Sequence, residues 1–339
     1  MVKVSRRSSL LHKWSTCTKP DTSLNKIRRG TSMAIPFSQG MLDVGSGHRL
    51  YYAEFGTPGA PAAVVLHGGP GSSCNNAMLE WFDLARHRVV LFDQRGCGRS
   101  IPKGRLACNT TQDLIQDIER LRRHLGISTW LVVGGSWGAL LGLLYAGTHP
   151  ASVHGMVLRG VFLPRDEQLN WFFQDLKALV PVAWRHLTAD MISSESVAVL
   201  PTLSDRLLRG TPAIASDTAM RWGRYEDAVM AAMLGRQSSP DGPLQAGQLE
   251  KYRVQAHYLS RACFVTERDF YLALQRIAVV PVFVHGTHDW ICPPRNVVRL
   301  MESLPQADVR WVARGTHTTA DPMIRDALRL AVKDHEHAQ

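Results

Sequence analysis

Residues 134–138 read "GGSWG" and place a single serine between glycines. The apolar run "TWLVV" precedes them and "ALLGLLYAG" follows, so the pattern predicts a strand, a tight turn and a helix. In a G-x-S-x-G turn, glycines avoid collisions and the serine hydroxyl projects over the sheet. This context favours a nucleophile elbow over a plain glycine-rich turn. A dinucleotide-binding loop would need G-x-G-x-x-G, which the segment does not contain.

Short apolar runs alternate with helical patterns on both sides of this turn. A helix is predicted over residues 110–126, where Leu114, Ile118 and Leu121 share one face and Gly126 ends the pattern. The alternation predicts the α/β class, with a mostly parallel sheet flanked by helices. The predicted strands cover residues 49–55, 62–67, 88–93, 129–135, 155–160, 279–286 and 308–312.

The alternation stops between residues 162 and 278, where helix formers and aromatic residues replace strand patterns. We predict a helical cap inserted into an α/β core made of residues 35–161 and 279–334. The aromatic residues of the insertion are expected to form its hydrophobic core. Residues 1–34 are predicted to be a basic, disordered extension.

The net charge of +10 is concentrated at the N-terminus. Residues 1–34 hold eight Lys or Arg and one acid, or +7, which leaves +3 for the other 305 residues. A nucleic-acid-binding face is therefore not expected. No apolar run of about 18 residues predicts a membrane helix. Without a secretory signal pattern, the expected location is the cytoplasm. The cysteine and histidine spacings predict no metal site, and no cofactor is expected.

A serine hydroxyl becomes a good nucleophile only when a base removes its proton, and that base needs an orienting acid. Behind a G-x-S-x-G elbow the chain order is serine, acid, histidine. Asp289 follows the strand predicted at 279–286, and His317 follows the strand predicted at 308–312. Carboxyl ends of parallel strands meet at one edge of the sheet, so Ser136, Asp289 and His317 are expected to meet there. Three other candidates lie within a strand, before a strand or at a helix start: His285, Asp308 and Asp321.

The segment "HGGPG" at residues 67–71 follows the strand predicted at 62–67. Its backbone N–H groups carry little side-chain obstruction. We predict that the N–H groups of Gly69 and Trp137 form an oxyanion hole beside Ser136.

Five motifs together resemble the proline iminopeptidase family of serine peptidases, from about Met41 to the C-terminal helix. They are "HGGPG", "DQRGCGRS" (93–100), "GGSWGALLGLLYAGTHP" (134–150), "LRGVFL" (158–163) and "HGTHDWICPP" (285–294). The resemblance implies an α/β-hydrolase fold with a helical cap and the release of N-terminal proline from small peptides. It also implies a triad of Ser136, Asp289 and His317. "DQRGCGRS" is interpreted as a structural loop that braces the floor of the site.

The resemblance further implies a cap carboxylate that binds the free amine of the substrate. "WGRYED" (222–227) matches that motif and assigns Glu226 to this role. The family carries a second cap acid, and Gln255 in "YRVQAHYL" (252–259) stands in its place. The missing charge predicts weaker amine binding or a broader substrate range. An esterase or amidase of the same fold, with no need for a free amine, is therefore the alternative.

Overall fold

The computed structural model of the chain describes residues 34–191, 198–238 and 246–335. The predicted N-terminal extension, residues 1–34, lies outside the described residues except for Ala34. Residues from Ile35 onward form one unit by their internal contacts.

An eight-stranded sheet runs through the molecule in the order β1-β2-β4-β3-β5-β6-β7-β8. β1 and β2 pair antiparallel, β2 and β4 pair antiparallel, and every later pair is parallel. The predicted α/β class with a mostly parallel sheet is confirmed. The strands are β1 (Ser38–Gly45), β2 (His48–Gly56), β3 (Ala62–Leu66), β4 (Arg88–Phe92), β5 (Trp130–Gly135), β6 (Val153–Arg159), β7 (Pro281–Gly286) and β8 (Asp308–Val312).

Seven of these strands match the predicted runs to within two residues at each end. β1 was not predicted, because its sequence "SQGMLDVG" is polar and only one of its eight residues is buried. It lies at the sheet edge, where one side of the strand makes no ladder and the apolar pattern is weak. β1 is therefore held in place by its hydrogen bonds to β2 more than by the burial of its own side chains.

Helices cover the sheet and fill the interval between β6 and β7. α1 starts where predicted, with Thr110 and Asp113 forming a reciprocal capping box. Between residues 162 and 278, the described part contains helices and no strand. The helices are α1 (Thr111–His124), α2 (Trp137–Thr148), α3 (Asp166–Phe173), α4 (Pro181–Thr188), α5 (Val199–Arg209), α6 (Pro212–Met233), α7 (Gln248–Leu259), α8 (Glu267–Gln275), α9 (Arg295–Ser303) and α10 (Pro322–Asp334).

The aromatic side chains of this helical interval form a core, as predicted. Trp222, Tyr225 and Tyr252 are at most 1% exposed, and Trp222 packs edge-on against Phe173 with ring centroids 5.3 Å apart. Tyr258 on α7 packs edge-on against Trp137 at 5.0 Å, so the interval contacts the start of α2. The division into a core and a separate cap stays a prediction.

The sheet brings five chain segments to one edge. β3, β4, β5, β7 and β8 end there, and each is followed by a loop that carries a predicted site motif. α2, which follows β5, is buried at every residue except Thr148, which explains its uniformly apolar sequence. Among the described residues, no helix has both the length and the apolar character needed to cross a bilayer.

Candidate active site

Ser136 occupies the turn between β5 and α2, with φ 59° and ψ −122°. Residues other than glycine rarely adopt this backbone conformation. Holding a residue in it costs about 1–3 kcal/mol of folding free energy, which the surrounding structure must supply. The Ser136 N–H donates to the Arg159 carbonyl at 3.0 Å, which ties the turn to β6. In the fully described stretch from residue 130 to 147, Ser136 is the one residue that is not buried. The turn therefore presents one hydroxyl at the edge of the sheet.

The glycines on either side of Ser136 are required by close backbone contacts. A Cβ on Gly134 would lie 2.4 Å from the Gly138 carbonyl oxygen. A Cβ on Gly138 would lie 2.0 Å from the carbonyl oxygen of Leu66, at the end of β3. The predicted steric reason for both glycines is confirmed.

The substitution Gly138→Ala is expected to lower the free energy of unfolding by about 3 kcal/mol, since the clash is with backbone and not with a movable side chain. Chemical denaturation followed by circular dichroism would measure the loss. Gly126→Ala is the control, because no atom lies within 4 Å of that Cβ and only its φ of +64° is unfavourable, at about 1–2 kcal/mol. Equal losses in the two variants would contradict the steric argument.

Asp289 and His317 form a buried pair. Nδ1 of His317 lies 2.7 Å from Oδ2 of Asp289. The other carboxyl oxygen, Oδ1, accepts hydrogen bonds from the backbone N–H groups of Ile291 at 3.0 Å and Cys292 at 2.8 Å. Burial by itself would raise the pKa of Asp289, but the adjacent His317 ring, the His285 ring and the Cys292 N–H hold that pKa below its ordinary value. The pair therefore keeps an ionised carboxylate against the histidine ring.

Gly160, directly after β6, lies against this pair and next to the strand residue that binds the Ser136 turn. A Cβ on Gly160 would lie 2.9 Å from Nδ1 of His317 and 3.1 Å from Oδ2 of Asp289. The preceding residue, Arg159, accepts the Ser136 N–H. The structure thus brings all three predicted residues to one place. The Ser136 side chain lies beside the Cys292 thiol, and the described residues show no hydrogen bond from it to the His317 ring. Catalytic hydrogen bonds in unliganded sites often form only with substrate.

Two residues beside this group were not identified from the sequence as site residues. Arg159 donates from Nη1 to the His317 carbonyl at 2.6 Å, and its charge inside the apolar pattern "GMVLRG" was the available signal. Burial lowers the pKa of the Arg159 guanidinium, an effect that Asp289 opposes. Cys292 is fully buried, and burial raises the pKa of its thiol well above the ordinary value. It is therefore a neutral neighbour of Ser136 and not a competing nucleophile.

The candidates set aside from the sequence have other contacts. His285 lies inside β7 and its Nε2 contacts the Cys292 carbonyl at 2.9 Å, while 3.9 Å separates it from the Asp289 carboxyl. Asp308 begins β8 and is exposed. Asp321 caps α10 by accepting from the Met323 N–H, as its position before Pro322 predicted.

The loop at residues 67–71 runs alongside Ser136. A Cβ on Gly68 would lie 3.5 Å from the Ser136 Cβ. Gly69 has φ +121°, a conformation in which an L side chain is strained. Trp137 is the first residue of α2, so its N–H has no acceptor within the helix. The two predicted oxyanion donors thus belong to segments that flank Ser136, and their role stays a prediction.

Gln94, in "DQRGCGRS", joins these two segments. Its Nε2 donates to the His67 carbonyl at 3.0 Å, and its Oε1 accepts from Nε1 of Trp137 at 2.9 Å. The preceding Asp93 accepts from the Cys74 N–H at 2.8 Å and from the Arg99 N–H at 2.9 Å. These bonds agree with the interpretation of this motif as a brace for the floor of the site.

Glu226 on α6 faces three side chains of α7. Its Oε2 accepts from the Tyr252 hydroxyl at 2.8 Å and from the Lys251 ammonium at 3.2 Å. Its Oε1 accepts from Nε2 of Gln255 at 2.5 Å. The structure therefore brings the two predicted amine-binding residues together and adds Lys251, which no motif in the sequence pointed to. Within the described residues, no His, Cys, Asp and Glu side chains cluster in a way that would hold a metal ion.

A family model described as alpha/beta hydrolase fold matches residues 61–318. A proline iminopeptidase from Xylella fastidiosa (strain Temecula1) is 40% identical over 301 residues, which covers 87% of this chain and 96% of the relative. The chain belongs to the proline iminopeptidase family. A plant relative of the same name, from Arabidopsis thaliana, is 34% identical over 306 residues, which covers 87% of this chain and 79% of its own length.

Solved structures share the fold of this proline iminopeptidase family member at lower identity. One, from a study of carboxylesterases of Nitrososphaera gargenis, has a TM-score of 0.59 at 17% identity and covers 88% of this chain and all of its own. A proline iminopeptidase-related protein from Thermus thermophilus has a TM-score of 0.55 at 22% identity, over 87% of this chain and 97% of its own. These likenesses show the α/β-hydrolase fold alone.

Proposed function

We propose that this chain is a serine exopeptidase that releases N-terminal proline, and other small residues, from peptides in the cytoplasm. The observation that carries the proposal is the buried Asp289–His317 pair beside the strained Ser136 turn, with Glu226 on α6 held among polar side chains. Membership in the proline iminopeptidase family supports the reaction class.

In the acylation step, Ser136 Oγ attacks the carbonyl carbon of the N-terminal residue. An ionised carboxylate can only accept hydrogen bonds, so the ring N–H of His317 lies on Nδ1 and the Nε2 lone pair is free to take the serine proton. The N–H groups of Gly69 and Trp137 would stabilise the tetrahedral oxyanion, at about 2.7–4 kcal/mol for one donor. His317 then returns the proton to the leaving amine as the C–N bond breaks.

In the deacylation step, His317 takes a proton from water, whose oxygen attacks the ester between Ser136 and the acyl group. Collapse of the second tetrahedral intermediate returns the proton to Ser136 Oγ and releases free proline. Asp289 stays ionised throughout, because its role is to orient the ring and stabilise the imidazolium. No cofactor takes part in this scheme.

An exopeptidase must also recognise a free N-terminus. The ammonium of the substrate needs a carboxylate partner, since an unpaired charge in a closed pocket is costly. We assign that partner as Glu226, with the Gln255 amide beside it.

An esterase or amidase without a free-amine requirement remains the second candidate. It is favoured by one observation: Glu226 is already paired with the Lys251 ammonium, and Gln255 supplies no second negative charge. The two functions differ in whether acetylation of the substrate amine abolishes turnover.

Release rates from proline arylamide, alanine arylamide, N-acetyl-proline arylamide and a simple aryl ester would separate the candidates. Fast proline release that acetylation abolishes is expected. Ester turnover without any arylamide release would overturn the peptidase proposal and favour the esterase.

The substitution Glu226→Gln is expected to reduce kcat/KM for proline arylamide by about 10–100-fold, because it removes a charge-assisted hydrogen bond to the substrate amine. Turnover of the aryl ester, which has no amine, should change little. Asp217→Asn is the control, since it removes a carboxylate of the same helix that pairs with Arg221 and lies more than two turns away from Glu226. Parallel losses on the ester and the arylamide would argue against amine recognition by Glu226.

A further inference from the structure

Lys251 holds its ammonium group in a site of the kind that a substrate amine needs. Nζ lies 3.2 Å from Oε2 of Glu226 and 3.1 Å from the Tyr252 hydroxyl oxygen. The Tyr252 O–H in turn donates a hydrogen bond to Oε2 of Glu226. The same Nζ lies 4.6 Å from the centre of the Tyr252 ring. A carboxylate, a phenol oxygen and an aromatic face together form a favourable environment for an organic ammonium ion.

Gln255 leaves this ammonium site with an unused acceptor. The residue is 5% exposed, and its Nε2 donates to Oε1 of Glu226. Its Oε1 is buried and has no hydrogen-bond partner among the described residues. A buried acceptor without a donor is costly, so it points to a ligand N–H that is absent here. A carboxylate in its place would add a negative charge, whereas the amide adds only a dipole.

The position of Lys251 connects this site to the loop beside Ser136. A Cβ on Gly71 would lie 2.3 Å from the Lys251 carbonyl oxygen, so the backbone of α7 packs directly on the 67–71 loop. The Lys251 side chain is 32% exposed and lines a cavity of about 540 Å³ between residues 71–75, the 96–103 segment, α6 and the start of α7. The backbone is held in place, while the side chain has room to swing away from Glu226.

We propose that Lys251 is a specificity-determining residue, an internal counter-ion that occupies the ammonium site of Glu226 and must be displaced by the amine of the substrate. The inference rests on the proposed function, since it assumes that Glu226 and the Gln255 acceptor receive that amine. Glu226 and Lys251 are together neutral, so this pair by itself offers an arriving ammonium ion no net attraction until Lys251 leaves; the nearby Asp227 carboxylate is present in either case. Amine-bearing substrates therefore bind more weakly than they would to an unpaired Glu226, and substrates without an amine bind unaffected.

The test compares Lys251→Gln with the wild-type chain on proline arylamide and on an aryl ester that has no amine. We expect KM for proline arylamide to fall by about 5–10-fold with kcat nearly constant, and both constants for the ester to stay unchanged. Lys251→Arg keeps the positive charge and should not lower KM. Lys333→Gln removes an exposed charge on α10, outside that cavity, and controls for the change in net charge.

The double variant Glu226→Gln/Lys251→Gln separates displacement from a general loosening of α7. Once Glu226 is neutral, the second substitution should give no further gain on proline arylamide. Proline release by the wild type with an unchanged or higher KM in Lys251→Gln would overturn the inference and leave the peptidase function standing. Absence of proline release from both chains, with the ester still cleaved, would overturn the inference and the proposed function together.

Discussion

Replacing Ser136 with alanine is expected to lower kcat for proline arylamide by about 10⁶-fold, the loss seen when a triad nucleophile is removed. The reason lies in the turn between β5 and α2, which exposes this one side chain next to the Asp289–His317 pair. The neighbouring Cys292 cannot take over, because burial raises the pKa of its thiol and keeps it protonated. Alanine has no atom that can form the acyl-enzyme.

The measurement is proline release under single-turnover conditions, together with labelling by a serine-directed fluorophosphonate. The wild-type chain should be labelled at Ser136 and the variant should not. Unchanged circular dichroism would show that the alanine chain is folded. Residual proline release above about one hundredth of the wild-type rate would contradict the assignment of Ser136 as the nucleophile.

The substitution Asp289→Asn is expected to lower kcat by about 10⁴-fold while the fold is kept. The asparagine oxygen can still accept from the N–H groups of Ile291 and Cys292, as Oδ1 of Asp289 does. Its amide nitrogen then faces Nδ1 of His317 and can only donate to it. That moves the ring proton to Nε2, where His317 can no longer act as a base.

The rate of proline release in Asp289→Asn, measured beside the melting temperature, tests this argument. Asp308→Asn is the matched control, because Asp308 is an exposed acid on β8 that pairs only with Arg310 in the described structure. It should keep nearly full activity. Comparable losses in the two variants would mean that Asp289 does not orient the histidine.

Much of the fold could be predicted from local pattern. Runs such as "AAVVLH" and "TWLVV" are apolar because both faces of their strands are buried, and the structure places strands at both. β1 could not be predicted in this way. Its polar sequence forms a strand because its backbone hydrogen-bonds to β2. That pairing is a tertiary contact, which the local sequence pattern does not indicate.

The residues of the candidate site and their order along the chain could be predicted from the sequence, but the contacts between their side chains could not. Ser136, Asp289 and His317 were identified because each follows a strand, and parallel strands end at one edge. Arg159 and Cys292 were missed because their roles depend on proximity to residues far away in the sequence, such as the His317 carbonyl. The sequence around "LRGVFL" does not indicate that Arg159 lies close to the His317 carbonyl.

The sequence by itself determined the elbow, the order of the three candidate residues and the replacement of a second cap acid by Gln255. These features depend only on residue type and on spacing along the chain. Both can be read from the sequence, because local stereochemistry alone determines the structure that they form. Only the tertiary structure decided that Lys251 pairs with Glu226, 25 residues earlier. That contact exists because α6 and α7 pack side by side, and an ion pair between helices depends on the packing of both and not on the pattern of either.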